Sequence, residues 1–212
     1  DFLLDTKIIT DPNNIYYLID SAATKTEIFR GLNNILTKLK GDNNERVYIY
    51  FAGHGDTESE TEQGYLLAYN CEKVAYDMTD AVYLPQFEPK VAAIAKKAKV
   101  FLITDACRSG NLAGQNNGAL RTMKAINDGF VNSTKILSCE PGQLSQEKHF
   151  PGGGHGVFTY FLLDALYGLG VSDSTKVVKV NDVRSYISQK VFENTKEEQS
   201  PMVLGSASEV IA

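Results

Sequence analysis

The chain has 212 residues, 43% of them hydrophobic, enough for one α/β domain with a substantial core. A formal charge of −5 at pH 7 gives no footprint for a nucleic-acid backbone or an anionic membrane surface, and no run reaches the ~20 apolar residues of a membrane span. The expectation is a domain that meets neither nucleic acid nor membrane and that, if charge steers a partner, takes a cationic one.

The chain opens at Asp1 rather than Met and shows no signal-peptide pattern, which suggests trimming and leaves the compartment unassigned. Apolar runs predict strands at 14–19, 46–52, 100–106, 134–139 and 201–205, and 64–70 reads as an antiparallel addition. Thr24 and Glu27 stand in capping-box positions ahead of Ile28, Leu32, Ile35, Leu36 and Leu39, whose spacing predicts a helix. Further helices are expected at 89–98, 156–168 and 182–194, with Asn181 as the cap of the last. The Gly- and Asn-rich stretch 110–132 reads as a long loop, and so does 141–155. Strands alternating with helices predict a mainly parallel sheet with helices on both faces. Residues 1–13 are too few to supply the strand that would usually precede 14–19, so a first strand is expected to be absent.

Two strand ends carry reactive groups. "YFAGHGD" sets His54 between two glycines just past one apolar run, and "ITDACRSG" sets Cys107 at the tip of another. A cysteine in that position is most often inert packing. In a parallel sheet, however, adjacent strands point their carboxyl ends the same way, which would bring an imidazole base and a thiol to one edge. Cys71 and Cys139 read as packed residues, and none of the three cysteines falls in a metal-ligand spacing.

The pair, 107 − 54 or 53 residues apart, resembles the caspase and metacaspase superfamily of cysteine peptidases, with its "HG" turn and its "ACxxG"-like turn. "AATKTEIFRGL", "GGGHGVFTYFLLDAL" and "QSPMVLG" extend the resemblance along most of the chain. It implies a caspase-like sandwich in one domain spanning 1–212, a mainly parallel central sheet flanked by helices on both faces. It also implies Cys107 as nucleophile, His54 as base and acid, and the N–H groups of Gly55 and Cys107 as oxyanion hole.

Where caspases resemble "QACRG" this chain has Asp105, and in "PGQLSQE" Glu147 stands where they carry an arginine. With Ser145 lining the same wall through its backbone, a buried carboxylate pair implies Arg or Lys at P1. The family's activating self-cleavage often falls in the segment corresponding to 110–132, which makes Arg121 and Lys124 candidate cut sites. The acidic run "DTESETE" at 56–62 is a candidate calcium site without the ligand spacing of an EF-hand, while the dyad itself needs no cofactor. His149 and His155 stand in a Gly-rich stretch, and the resemblance of "HGVFT" to a family helix without a catalytic role implies that His155 is structural. The partners implied are a peptide or protein with a basic P1 residue and a missing N-terminal segment or regulatory subunit. The residues also leave open a catalytically silent interaction scaffold of the same fold, a legumain-like peptidase with another P1 preference, and a flavodoxin-like phosphate-binding domain.

Overall fold

The computed structural model describes residues 2–42, 44–57, 63–71, 80–106, 117–140, 143–147, 156–171 and 177–212, with 117–121 and 123 described by backbone alone. The elements run α1 (Phe2–Asp5), α2 (Lys25–Lys38), β1 (Arg46–Ala52), β2 (Gly55–Thr57), β3 (Gly64–Leu66), β4 (Val82–Tyr83), α3 (Leu84–Ala95), β5 (Lys99–Asp105), α4 (Asn117–Asp128), β6 (Ser133–Leu137), α5 (Val157–Leu166), α6 (Val180–Asn194) and β7 (Met202–Leu204). The main sheet has the order β1-β5-β6-β7; β1, β5 and β6 are parallel, and β7 pairs antiparallel with β6.

β5 shows why this sheet carries helices on both faces. Its alternate residues are all apolar, so both sides must be covered. Val100 and Leu102 enter one cluster with Leu32 of α2, Phe87, Val91 and Ile94 of α3 and Ile126 of α4. Phe101 and Ile103 enter another with Val157, Phe158 and Phe161 of α5 and Val183, Ile187 and Val191 of α6. The mainly parallel, doubly covered architecture expected from the sequence is the one observed.

Local signals hold for α2, where the Thr24 hydroxyl accepts from the Glu27 N–H at 3.3 Å. α3 starts at Leu84 rather than at residue 89, because Pro85 suits a first turn and Leu84, Phe87, Val91 and Ile94 form one buried stripe. At α6 the cap differs from expectation. The Asp182 carboxylate accepts from the Lys179 N–H at 2.8 Å, while Asn181 Oδ1 accepts from Arg184 Nη1.

Two expectations fail. Residues 14–19 form no strand: Pro12–Asn14 make a single 3-10 turn capped by Asp11, and the following residues run without a sheet neighbour, Tyr17 being 76% exposed. A run of β-forming residues is a strand only if another strand offers it hydrogen bonds, and this one instead lies against α2, with Lys38 Nζ 5.4 Å from the Tyr16 ring centre. The second failure is 110–132, of which Asn117–Asp128 is α4 and not loop. Of the expected strand 64–70 only β3 pairs, antiparallel to β2 and β4 in a separate small sheet. No helix among the described residues is long and apolar enough to cross a membrane.

Candidate active site

The carboxyl ends of β1 and β5 are level, since Ala52 pairs with Asp105 and the Gly53 N–H donates to the Asp105 carbonyl at 3.1 Å. His54 follows two residues after Ala52 and is exposed. Cys107 follows two residues after Asp105 and lies outside the described residues, as do His149 and His155. Gly55 is buried in β2. The Leu67 N–H donates to the His54 carbonyl at 2.8 Å, which makes His54 and Leu67 the hydrogen-bonding pair. Antiparallel alternation then turns the Gly55 N–H away from β3.

Asp105, half-buried, is the centre of a hydroxyl network. Ser145 Oγ donates to its Oδ1 at 2.7 Å and Thr159 Oγ1 to its Oδ2 at 2.8 Å. The Tyr50 hydroxyl is 2.9 Å from Thr159 Oγ1, and because the Thr159 proton is committed to Asp105, Tyr50 is the donor there. Burial and the nearby Asp105 charge push the Tyr50 phenol above its ordinary range despite the Thr159 bond, so it keeps that proton at neutral pH. Thr159 lies in the first turn of α5, whose amino end favours a negative group beside it. The approach is close: a Cβ on Gly156 would stand 3.1 Å from Asp105 Oδ2. Each carboxylate oxygen accepts one hydroxyl bond here and has lone-pair capacity for another.

A family model for the caspase domain, within the peptidase C14 group, matches residues 12–209. The chain belongs to this caspase-domain peptidase family. The caspase domain is also 27% identical over 135 residues to the uncharacterized protein y4kE of Sinorhizobium fredii (strain NBRC 101917 / NGR234), covering 63% of this chain and 38% of that protein. It thus spans less than two fifths of that relative's length. Among solved structures, protein GSU0716 from Geobacter sulfurreducens superposes with a TM-score of 0.56 at 16% identity, covering 88% of this chain and 75% of that one, a likeness of fold.

Four residues that the sequence implied for the site or its processing take these places in the caspase domain. Ser145 is buried, and its hydroxyl faces Asp105, where it gains a charge-assisted bond. Glu147 is exposed, so it does not form a buried carboxylate pair with Asp105; its backbone bridges Gly156, which keeps it on the same wall. Lys124 lies on α4 with an ion pair to Asp128 at 3.1 Å, and Arg121 is in the same helix, so neither is on an open loop. α4 is held on the small sheet by Thr122, which donates to the Asp56 carbonyl.

Of the acidic run 56–62 only Asp56 and Thr57 are described, and the described residues contain no group of three or more His, Cys, Asp or Glu able to hold a metal. Cys71 is a free thiol whose burial pushes its pKa up, as suits packing rather than reactivity. A hollow lined by Lys99, Ser133, Thr134 and Glu209 opens at the starts of β5 and β6, the opposite sheet edge from Asp105. Sequence reasoning missed Tyr50, Thr159 and Gln199. The first lies two residues before Ala52 and so on the same strand face, while the other two stand inside quoted family-like segments, "GVFTYF" and "QSPMVLG".

Proposed function

We propose that this caspase domain is a cysteine endopeptidase that cleaves after Arg or Lys, with Cys107 as nucleophile and His54 as its base. His54 takes the thiol proton as Sγ attacks the scissile carbonyl carbon, and returns it to the leaving amine as the C–N bond breaks. The thioester acyl-enzyme is then hydrolysed by a water that His54 deprotonates. The outward-turned Gly55 N–H and the Cys107 N–H stabilise the oxyanion. The matched register of Ala52 and Asp105 supports the dyad, since His54 and Cys107 each follow by two residues.

The observation that carries the P1 assignment is the Asp105 carboxylate: half-buried, steadied by two hydroxyl donors, and with capacity on both oxygens for the forked bonds of a guanidinium. Self-processing at Arg121 or Lys124 belongs to the same proposal and requires local unwinding of α4, because a peptidase cleft takes an extended chain. The carboxylates of 56–62 would be the residues to hold calcium, which the chemistry of the dyad does not need.

The test is turnover of fluorogenic peptides with Arg, Lys, Asn or Asp at P1, with and without calcium. Arg and Lys peptides are expected to be cleaved, and Cys107→Ala to lose activity by on the order of 10³-fold or more. Preference for Asn or Asp would overturn the P1 assignment, and undiminished turnover by Cys107→Ala would overturn the nucleophile.

A further inference from the structure

Behind Asp105 lies a second, fully buried polar residue that no step of the chemistry uses. Gln199 is 0% exposed, and its amide is satisfied on every side. Nε2 donates to the Ser138 carbonyl at 2.8 Å and to Ser145 Oγ at 3.3 Å, and Oε1 accepts from the Gln146 N–H at 2.8 Å. Its own N–H donates to Thr195 Oγ1 at 3.1 Å, which fixes it to the end of α6. One side chain thereby joins the end of β6, the segment 145–146 and the approach to β7.

The bond to Ser145 has a directional consequence. A hydroxyl has one proton, so Ser145 Oγ, accepting from Gln199, delivers that proton to Asp105 Oδ1. The rest of the 143–146 segment is tied to the same lead-in. Gln143 Oε1 accepts from the Ser200 N–H at 2.6 Å, and Gln146 Nε2 donates to Glu198 Oε2 at 2.6 Å. From Gln146 the link runs on to the amino end of α5, where the Val157 N–H donates to the Gln146 carbonyl at 2.9 Å.

We propose that Gln199 is a positioning residue for the substrate pocket, holding Ser145 and the 145–147 backbone against Asp105 so that a guanidinium is preferred over an ammonium at P1. The proposal rests on the basic-P1 assignment of Asp105. A guanidinium fork needs both carboxylate oxygens held in one plane, whereas a lysine ammonium is a point charge that tolerates rotation of its partner. Loss of Gln199 frees the Ser145 hydroxyl to turn and the Asp105 plane to rotate, which costs the fork more than the point contact.

The experiment measures kcat and KM of the 212-residue chain and Gln199→Met on matched peptides with Arg, Lys, Asn or Asp at P1, with iodoacetamide alkylation at Cys107 as a reading of the thiol. Folding is checked by circular dichroism. The expected result is a rise of about tenfold in KM for the Arg peptide, the size of one or two lost hydrogen bonds. A smaller rise is expected for Lys, and kcat and alkylation should stay within about twofold. Ser145→Ala should shift the Arg to Lys ratio the same way, and the double variant should add little.

Should Gln199→Met not fold, Gln199→Glu is read in its place, since it keeps an acceptor for the Gln146 N–H and loses both donated bonds. Unchanged KM values, or an equal fall of kcat and alkylation rate for all peptides, would overturn the proposal, as would failure of both variants to fold. A wild type that prefers Asn or Asp, or cleaves nothing in the panel, overturns the assignment of Asp105 and this proposal together. A wild type that prefers Arg or Lys, beside a Gln199 variant with unaltered KM, overturns the positioning role alone.

Discussion

Asp105 takes its two hydroxyl donors from two separate segments, Ser145 from the stretch after β6 and Thr159 from the first turn of α5. Such a carboxylate costs free energy to desolvate, and it is offset by bonds that all point toward it. Asp105→Asn preserves the shape but makes one side of the group a donor, which faces a hydroxyl already donating. Turnover of an Arg-P1 peptide is expected to fall about a hundredfold in kcat/KM, the loss of a charge-assisted pair, while Cys107 alkylation continues at the wild-type rate. Kinetics beside peptide-mapped alkylation check this; equal loss of both would assign Asp105 to the thiol's environment and not to substrate. Asp105 was legible as a candidate in "ITDACRSG" because it stands two residues from the cysteine. The two hydroxyls were not legible, being 40 and 54 residues further along the chain.

At the scale of elements, α4 is the instructive case. Gly- and Asn-rich neighbours disguise it, although Leu120, Met123 and Ile126 recur at helical spacing. Its seat is the small sheet, where there is no room for a side chain: a Cβ on Gly64 would stand 2.9 Å from the Thr122 Cα, and one on Gly55 3.0 Å from Thr122 Cγ2. Gly64→Ala is therefore expected to push α4 off β2 and β3, destabilising the domain by about 1–3 kcal/mol. It should also speed cleavage at Arg121 or Lys124 by added trypsin. Thermal melts with limited proteolysis check both, and an unchanged cleavage rate would show that α4 is not held by this contact. The strand misread at 14–19 teaches the complementary lesson. Its residues have the propensity, but pairing is a property of two segments and cannot be found in one.

At the scale of the whole molecule, the two apolar clusters meet through the sheet, and Phe101 at its centre, fully buried and stacked on Tyr48 with ring centres 5.2 Å apart, belongs to the face under α5 and α6. Phe101→Ala is expected to cost about 3–5 kcal/mol and to lower the melting temperature by roughly 10 °C or more, as calorimetry would show. A shift of a degree or two would mean the face repacks around the gap. Doubly apolar strands, helix stripes and the turns bearing His54 and Cys107 are short-range features, so the sequence by itself determined the fold class, the family and the candidate dyad. Tertiary structure alone decided that Ser145 faces Asp105 with its hydroxyl, that Glu147 is exposed, that α4 replaces a loop, and that the buried Gln199 side chain bonds Ser138, Ser145 and Gln146. Those outcomes depend on which distant groups share a lone pair or a space, and such pairings exist only once the chain has closed on itself.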